Sequence, residues 1–277
     1  MGGTALVLGG GGPVGGAWLT GVLAGLADGG VDLARADVVI GTSAGAIFGT
    51  RLAYGESPRE LYERQLSGAD RLVLSVTAAQ TARFLWAALG SRDPERSVRR
   101  LGRAALAAGA GGDVLPLVRQ VLRGVEEWPG VGLRIAAVDA RTGVVEAFDR
   151  DAKVSLVEAV AASCAVPLVF SPVSVGGRRW IDGGSRSTAN LQLARGYERV
   201  LAVAPVAKAV GPHPGAERQA AELRAGGAVV SLLVPDAASR RAMGRDLTSD
   251  AHRVGAALAG RAQAERVVGT VGGVWQG

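Results

Sequence analysis

A single cysteine, Cys164, leaves no partner for a disulfide and excludes a cysteine-rich zinc site. Two histidines, His213 and His252, are too few for a histidine-based metal centre, so no metal is expected. No uninterrupted apolar stretch of about 20 residues occurs, which argues against a spanning helix. The opening MGGTALVLGG has neither a basic stretch nor the apolar run of a secretory leader. A soluble, cytoplasmic protein is therefore expected, with any membrane contact peripheral. Lysine is nearly missing (Lys153 and Lys208), so the net charge of +6 is carried by arginine. Aromatics are sparse, at five Trp, three Tyr and four Phe, and they do not interleave with the arginines as a nucleic-acid surface requires. Glycine is what abounds, 42 of 277 residues, on a background 48% hydrophobic and 20% charged. That composition supports a sizeable core and excludes disorder as the general state.

Hydrophobic patterning gives the organisation. Residues 4–8 read as a short buried strand, 9–16 as a glycine-rich loop, and 17–28 as a helix stopped by Gly29 and Gly30. Residues 36–40 read as a second strand running into Gly41-Thr-Ser-Ala-Gly45 and a helix to about Tyr54. Strand, turn, helix, repeated, is the pattern of a parallel α/β sheet. Residues 58–128 look helical, 133–139 and 144–148 like a hairpin, and 154–164 like a helix ended by Pro167. A strand pair is expected at 174–181 and further buried strands at 199–204 and 229–234, followed by a basic helical tail over 237–268. The expectation is one domain over 1–277, a three-layer α/β/α sandwich with a mostly parallel sheet. Its core spans about 4–206, with 58–128 as a helical insertion or cap and 237–277 as a C-terminal helical segment.

Ser43 between Gly41 and Gly45, after a strand and before a helix, has the spacing of a nucleophile elbow. The glycines permit the sharp turn, and the helix N-terminus behind Ser43 favours negative charge developing beside it. The competing reading is a glycine turn whose serine only caps the helix. A reactive serine needs oxyanion donors and a base. The backbone N–H groups of Gly10, Gly11 and Gly12 and that of Ala44 are candidate donors, whereas Pro13 has none to offer. Both histidines read as surface residues, His213 in a Gly-Pro-His-Pro-Gly turn and His252 in a charged helical stretch. Asp182 is the candidate base: the apolar-flanked strand Arg179-Trp-Ile181 delivers it into Gly183-Gly184, and an aspartate in a dry site can take the place of imidazole. Its competing reading is an ordinary Asp-Gly turn. Gly10, Gly12 and Gly15 also fit G-x-G-x-x-G, which leaves open an NAD(P)-binding oxidoreductase with Asp32 or Asp37 on the ribose. The absence of Lys-Ser/Thr after Gly15 excludes a phosphate P-loop.

Taken together, GGGGPVGG at 9–16, GTSAG at 41–45, ASCAVP at 162–167 and DGG at 182–184 resemble the patatin-like phospholipases, in the same order and over about residues 4–206. The resemblance implies an α/β/α fold and a Ser–Asp dyad that hydrolyses acyl esters of lipids through an acyl-serine intermediate, without metal or other cofactor. It assigns the nucleophile to Ser43, the base to Asp182 and the oxyanion glycines to Gly10, Gly11 and Gly12. The sequence departs from the family at Val14, where Arg or Lys is usual. That departure bears on phospholipid preference rather than on hydrolysis and leaves neutral acyl esters open as substrates. A non-catalytic relative serving as an interaction module is the third reading.

Two weaker features remain. Cys164 reads as a buried structural cysteine rather than a second nucleophile. Arg92, Arg96, Arg99, Arg100 and Arg103 share a helical face just after the apolar run 84–89, a pairing suited to an anionic membrane surface or, more plainly, to a solvated basic face. Oligomeric state is not legible.

Overall fold

The computed structural model describes residues 2–72, 74, 76–108 and 111–276. Val73, Ser75, Gly109 and Ala110 of the expected helical insertion, and the two terminal residues, lie outside the described residues. The chain opens as β1 (Thr4–Leu8), α1 (Gly12–Asp28), β2 (Val38–Gly41) and α2 (Ala44–Ala53). Four helices follow, α3 (Pro58–Ser67), α4 (Ala78–Leu89), α5 (Pro94–Ala107) and α6 (Leu115–Leu122). Next come β3 (Gly132–Asp139), β4 (Val145–Phe148), α7 (Leu156–Cys164), β5 (Val173–Val175), β6 (Arg178–Asp182) and β7 (Arg199–Val203). The chain closes with α8 (Ala216–Ala225), β8 (Val229–Leu233), α9 (Ala237–Met243) and α10 (Arg253–Gln276).

The sheet is connected in the order β5-β6-β3-β2-β1-β7-β8, with β4 also on β3. Pairing is parallel from β3 through β2, β1 and β7 to β8, and antiparallel where β4, β5 and β6 join. Strand alternation sorts side chains to the two faces. Leu6 and Leu8 pack with α1, α2, α7 and α10, whereas Ala5 and Val7 pack with α8 on the other side. The result is the expected α/β/α sandwich.

One detail of register positions the site. Ile135 pairs with both Gly41 and Phe148, and Val138 with both Val145 and Ile181, so β2 and β6 share one edge of β3 while β4 takes the other. Because β2 is parallel to β3 and β6 antiparallel, their C-terminal ends meet head to head. Gly41 lies opposite Ile135, and Asp182 lies opposite Ala137, two residues further on.

Three expectations need correction. First, α1 begins at Gly12, not at 17: Pro13 in its first turn has a φ already suited to a helix, and the loop proper shrinks to Gly9–Gly11. Second, the tail is not one basic helix but α9, a turn and α10, and α10 is part of the core. It lies so close to α1 that a Cβ on Gly260 would come within 2.2 Å of the Trp18 carbonyl oxygen, and one on Gly21 within 2.1 Å of that of Ala257. Small residues make this contact, so apolar periodicity gives little sign of it. Third, Arg92 precedes α5, and only Arg96, Arg99, Arg100 and Arg103 lie on that helix.

Candidate active site

Ser43 sits between the end of β2 and the first turn of α2 with φ +53° and ψ −119°, a conformation that costs a non-glycine residue about 1–3 kcal/mol. The surroundings hold it there. The Thr42 N–H donates to the Leu8 carbonyl at 3.0 Å, and the Ser43 N–H donates to Ser163 Oγ at 2.8 Å. Ser163 in turn donates to the Ala136 carbonyl of β3 at 2.6 Å. A Cβ on Gly45 would lie 2.0 Å from the Leu8 oxygen, and one on Gly41 would lie 2.5 Å from Ala46 Cα. The elbow glycines are thus required by the close approach of α2 to the ends of β1 and β2, not only by backbone freedom.

Asp182 ends β6 and is buried. Its carboxylate accepts a hydrogen bond from the Gly184 N–H at 2.6 Å, and the Ser43 hydroxyl lies beside it. Burial pushes its pKa up to about 6, against the pull of those two groups, which favour the charged form. A Cβ on Gly183 would meet the Ala136 oxygen at 2.5 Å, which explains the glycine after the aspartate.

The oxyanion candidates separate. The Gly10 N–H is engaged by the Thr188 carbonyl at 2.7 Å, so it is not a spare donor as expected. Gly10 nonetheless flanks the serine, since a Cβ there would be 3.1 Å from Ser43 Cβ. Gly11, Gly12 and Ala44 line the same cavity as Ser43 and Asp182. The amides of Gly12 and Ala44 belong to first turns of helices, where no intrahelical acceptor exists. Gly15 lies inside α1, packed on Pro205.

Two buried residues escaped sequence reasoning. Ser163 bridges the elbow to β3, as above. Asn190, with φ +50°, donates from Nδ2 to Thr42 Oγ1, the Gly183 carbonyl and the Ser187 carbonyl at 3.1, 3.2 and 2.7 Å, tying the elbow to the Asp182 turn. Ser163 sits inside the quoted ASCAVP stretch; Asn190 had no local signal at all.

The histidine expectation is revised in part. His213 is only 8% exposed, and burial, with the nearby Arg186 charge, lowers its pKa to about 4. It is not among the residues lining the serine cavity. His252 is half-buried against Gly244. Cys164 is buried as expected and lines the same cavity as Ser43, its thiol pKa pushed up by burial and by the Asp182 charge. The ribose acids of the dinucleotide reading sit at the wrong end of the sheet. Asp32 accepts from the Ala34 N–H at 3.0 Å and Asp37 from the Thr4 N–H at 2.6 Å, ahead of β2, while Gly9–Gly11 follow the far end of β1.

Ser43 and Asp182 open into a cavity of about 320 Å³. Its walls are mainly apolar, with Ile47, Phe48, Phe84, Leu117 and Phe170 among them. Among the described residues no group of acidic, histidine or cysteine side chains is arranged to hold a metal.

The sequence model of the patatin-like phospholipase family matches residues 6–195, well over half of the chain. The chain belongs to the patatin-like phospholipase family. Among solved structures, this patatin-like chain is similar to VipD from Legionella pneumophila at 13% identity and a TM-score of 0.49, covering 97% of this chain and 67% of that one. It is also similar to the type III effector protein ExoU at 16% identity and a TM-score of 0.41, covering 96% of this chain and 53% of that one. The chain thus spans about half the length of ExoU and two thirds that of VipD. No curated protein matches the sequence.

Proposed function

We propose that this protein is a serine acyl hydrolase that cleaves fatty acyl esters of lipids with Ser43 as nucleophile and Asp182 as base. The observation that carries it is a serine on a strained strand-to-helix turn beside a buried carboxylate, both lining one mainly apolar cavity. With its pKa near 6, the Asp182 carboxyl is mostly ionised at neutral pH yet basic enough to accept a proton. Ser43 Oγ attacks the ester carbonyl and passes its proton to Asp182. The amides of Gly11, Gly12 and Ala44 donate to the oxyanion, with the N-terminal ends of α1 and α2 adding their positive field. The tetrahedral intermediate collapses, and the alcohol leaves with the proton from Asp182. Water then attacks the acyl-serine, losing its proton to Asp182, which returns it to Ser43 Oγ as the fatty acid departs from the apolar cavity. Asp182 takes and returns a proton twice, once in acylation and once in deacylation, so the cycle balances without a cofactor.

The same reading includes peripheral contact with a lipid surface. On α4, Leu85, Trp86 and Leu89 are exposed, Trp86 to 73%, while Phe84 of the same helix lines the cavity. Arg100 stacks on Trp86 at 4.9 Å, and Arg96, Arg99 and Arg103 are exposed on the neighbouring α5. An apolar patch beside the cavity, rimmed by arginines, suits an anionic bilayer.

The test is hydrolysis of p-nitrophenyl esters of graded chain length by wild type and Ser43→Ala, with fluorophosphonate labelling alongside. Turnover and labelling in the wild type, both lost in Ser43→Ala, are expected. A folded wild type that neither labels nor turns over any ester is the outcome that favours a non-catalytic interaction module.

A further inference from the structure

The walls of the serine cavity are not apolar throughout. Gln65 of α3 lines it, and its side chain belongs to a residue only 2% exposed. Its Nε2 is buried and has no hydrogen-bond partner. Asp70 lines the cavity too, with Oδ2 accepting from Arg51 Nη1 at 2.6 Å. Ser43, Ile47 and Arg51 are spaced four apart and stack on one face of α2, so Arg51 lies about 12 Å along the helix from the serine at 1.5 Å per residue. Ile47 and Phe48 occupy the wall between, and Arg51 sits over the Phe48 ring at 5.8 Å. A buried donor left unpaired costs about 1–3 kcal/mol, so an orphan amide in a lipid cavity calls for a partner.

Charge narrows what that partner is. Arg51 pairs with Glu56 and Asp70, Arg64 pairs with Glu56, and Arg253, against Gly68, shares Asp250 with Arg71. A carboxylate arriving here meets Asp70, and an ammonium ion meets a neighbourhood already rich in arginine. A hydroxyl accepts from Gln65 Nε2 and donates to the Asp70 carboxylate without bringing charge. We infer that Gln65 and Asp70 form a polar subsite remote from Ser43 that selects acyl chains carrying a hydroxyl far from the ester. This rests on the acyl-hydrolase reading and specifies its substrate class. From a 1.52 Å carbon–carbon bond in an extended zigzag, a hydroxyl on roughly the tenth carbon spans the distance.

The test compares p-nitrophenyl ω-hydroxydecanoate with p-nitrophenyl decanoate. The wild type is expected to prefer the hydroxy ester about tenfold in kcat/KM, the worth of one buried hydrogen bond. Gln65→Leu is expected to bring the ratio to one or below; Gln65→Met, closer in length, serves if the leucine variant does not fold. A wild-type ratio near one, or a ratio unmoved by the substitution, overturns the subsite and leaves a trapped water as the partner of Gln65. Binding of methyl ω-hydroxydecanoate and methyl decanoate to Ser43→Ala, followed by calorimetry, keeps the two readings apart. Tighter binding of the hydroxy ester by about tenfold supports the subsite even if no ester is hydrolysed, and equal binding rejects it even if hydrolysis is confirmed.

Discussion

Burying the Asp182 carboxyl raises its pKa to about 6, and activity and stability respond to that shift in opposite ways. In the proposed reaction the carboxylate is the working form, so kcat/KM for a soluble ester is expected to fall as pH drops through about 6, seen in a pH–rate profile. For stability the sign reverses. A carboxyl raised in the folded state binds its proton more tightly there, so its stabilising contribution is present below about 4 and lost as pH rises through about 6. At neutral pH the folded protein therefore carries a buried charge costing about 3 kcal/mol. Asp182→Asn is expected to lower turnover by about 10²- to 10⁴-fold, as loss of a general base does. Thermal melts should show the same variant more stable than wild type at pH 7–8, with the difference closing toward pH 4. The residue was legible in DGG after an apolar strand and its pairing with Ser43 was expected, but the register that sets the two strand ends against each other was not. Gly10 makes the converse point: a glycine in the right loop was legible, and the capture of its amide by Thr188 was not, because that acceptor is 178 positions away.

Among elements, α4 and α5 are where sequence and structure differ most usefully. Apolar residues 84–89 read as one run, yet the helix divides them. Ala87 and Ala88 are buried, Phe84 reaches the cavity, and Leu85, Trp86 and Leu89 face outward. Helical periodicity predicts such a division but not which face finds a neighbour. If this face meets lipid, the double variant Trp86→Ala, Leu89→Ala should sediment with anionic vesicles at least fivefold less than wild type, corresponding to about 1 kcal/mol or more of lost apolar contact. Hydrolysis of p-nitrophenyl butyrate measured in parallel separates loss of docking from loss of fold. Equal sedimentation of the two proteins would return the patch to the status of a solvated face.

Across the whole molecule, the helix pair α1 and α10 closes one face of the sheet through contacts that only glycine allows. A side chain at Gly260 has no space beside the Trp18 carbonyl, and the offending atoms are backbone. Gly260→Val is expected to destabilise the protein by about 3 kcal/mol or more, the upper range for overpacking, as read from urea unfolding. The hydrogen bond from Trp275 Nε1 to the Asp32 carbonyl at 2.7 Å fastens the end of the same helix to the connection before β2. Residues 237–276 therefore belong to the structural unit that carries Ser43, although the family resemblance thins out beyond about residue 206.

By itself the sequence determined what depends on near neighbours in the chain. Strand, turn and helix around Gly41–Gly45 follow from residue types within a few positions, as do the hairpin of β3 and β4 and the strands that form the parallel half of the sheet. Tertiary structure alone decided what depends on residues far apart. It brought Asp182 to Ser43 by setting the ends of β2 and β6 against each other along one edge of β3. It buried His213, made α10 part of the core, and left Gln65 Nε2 unpaired in a mainly apolar cavity. The physical reason is common to all four: burial and hydrogen-bond pairing are properties of approach in space, and no local spacing encodes which distant backbone or side chain will arrive.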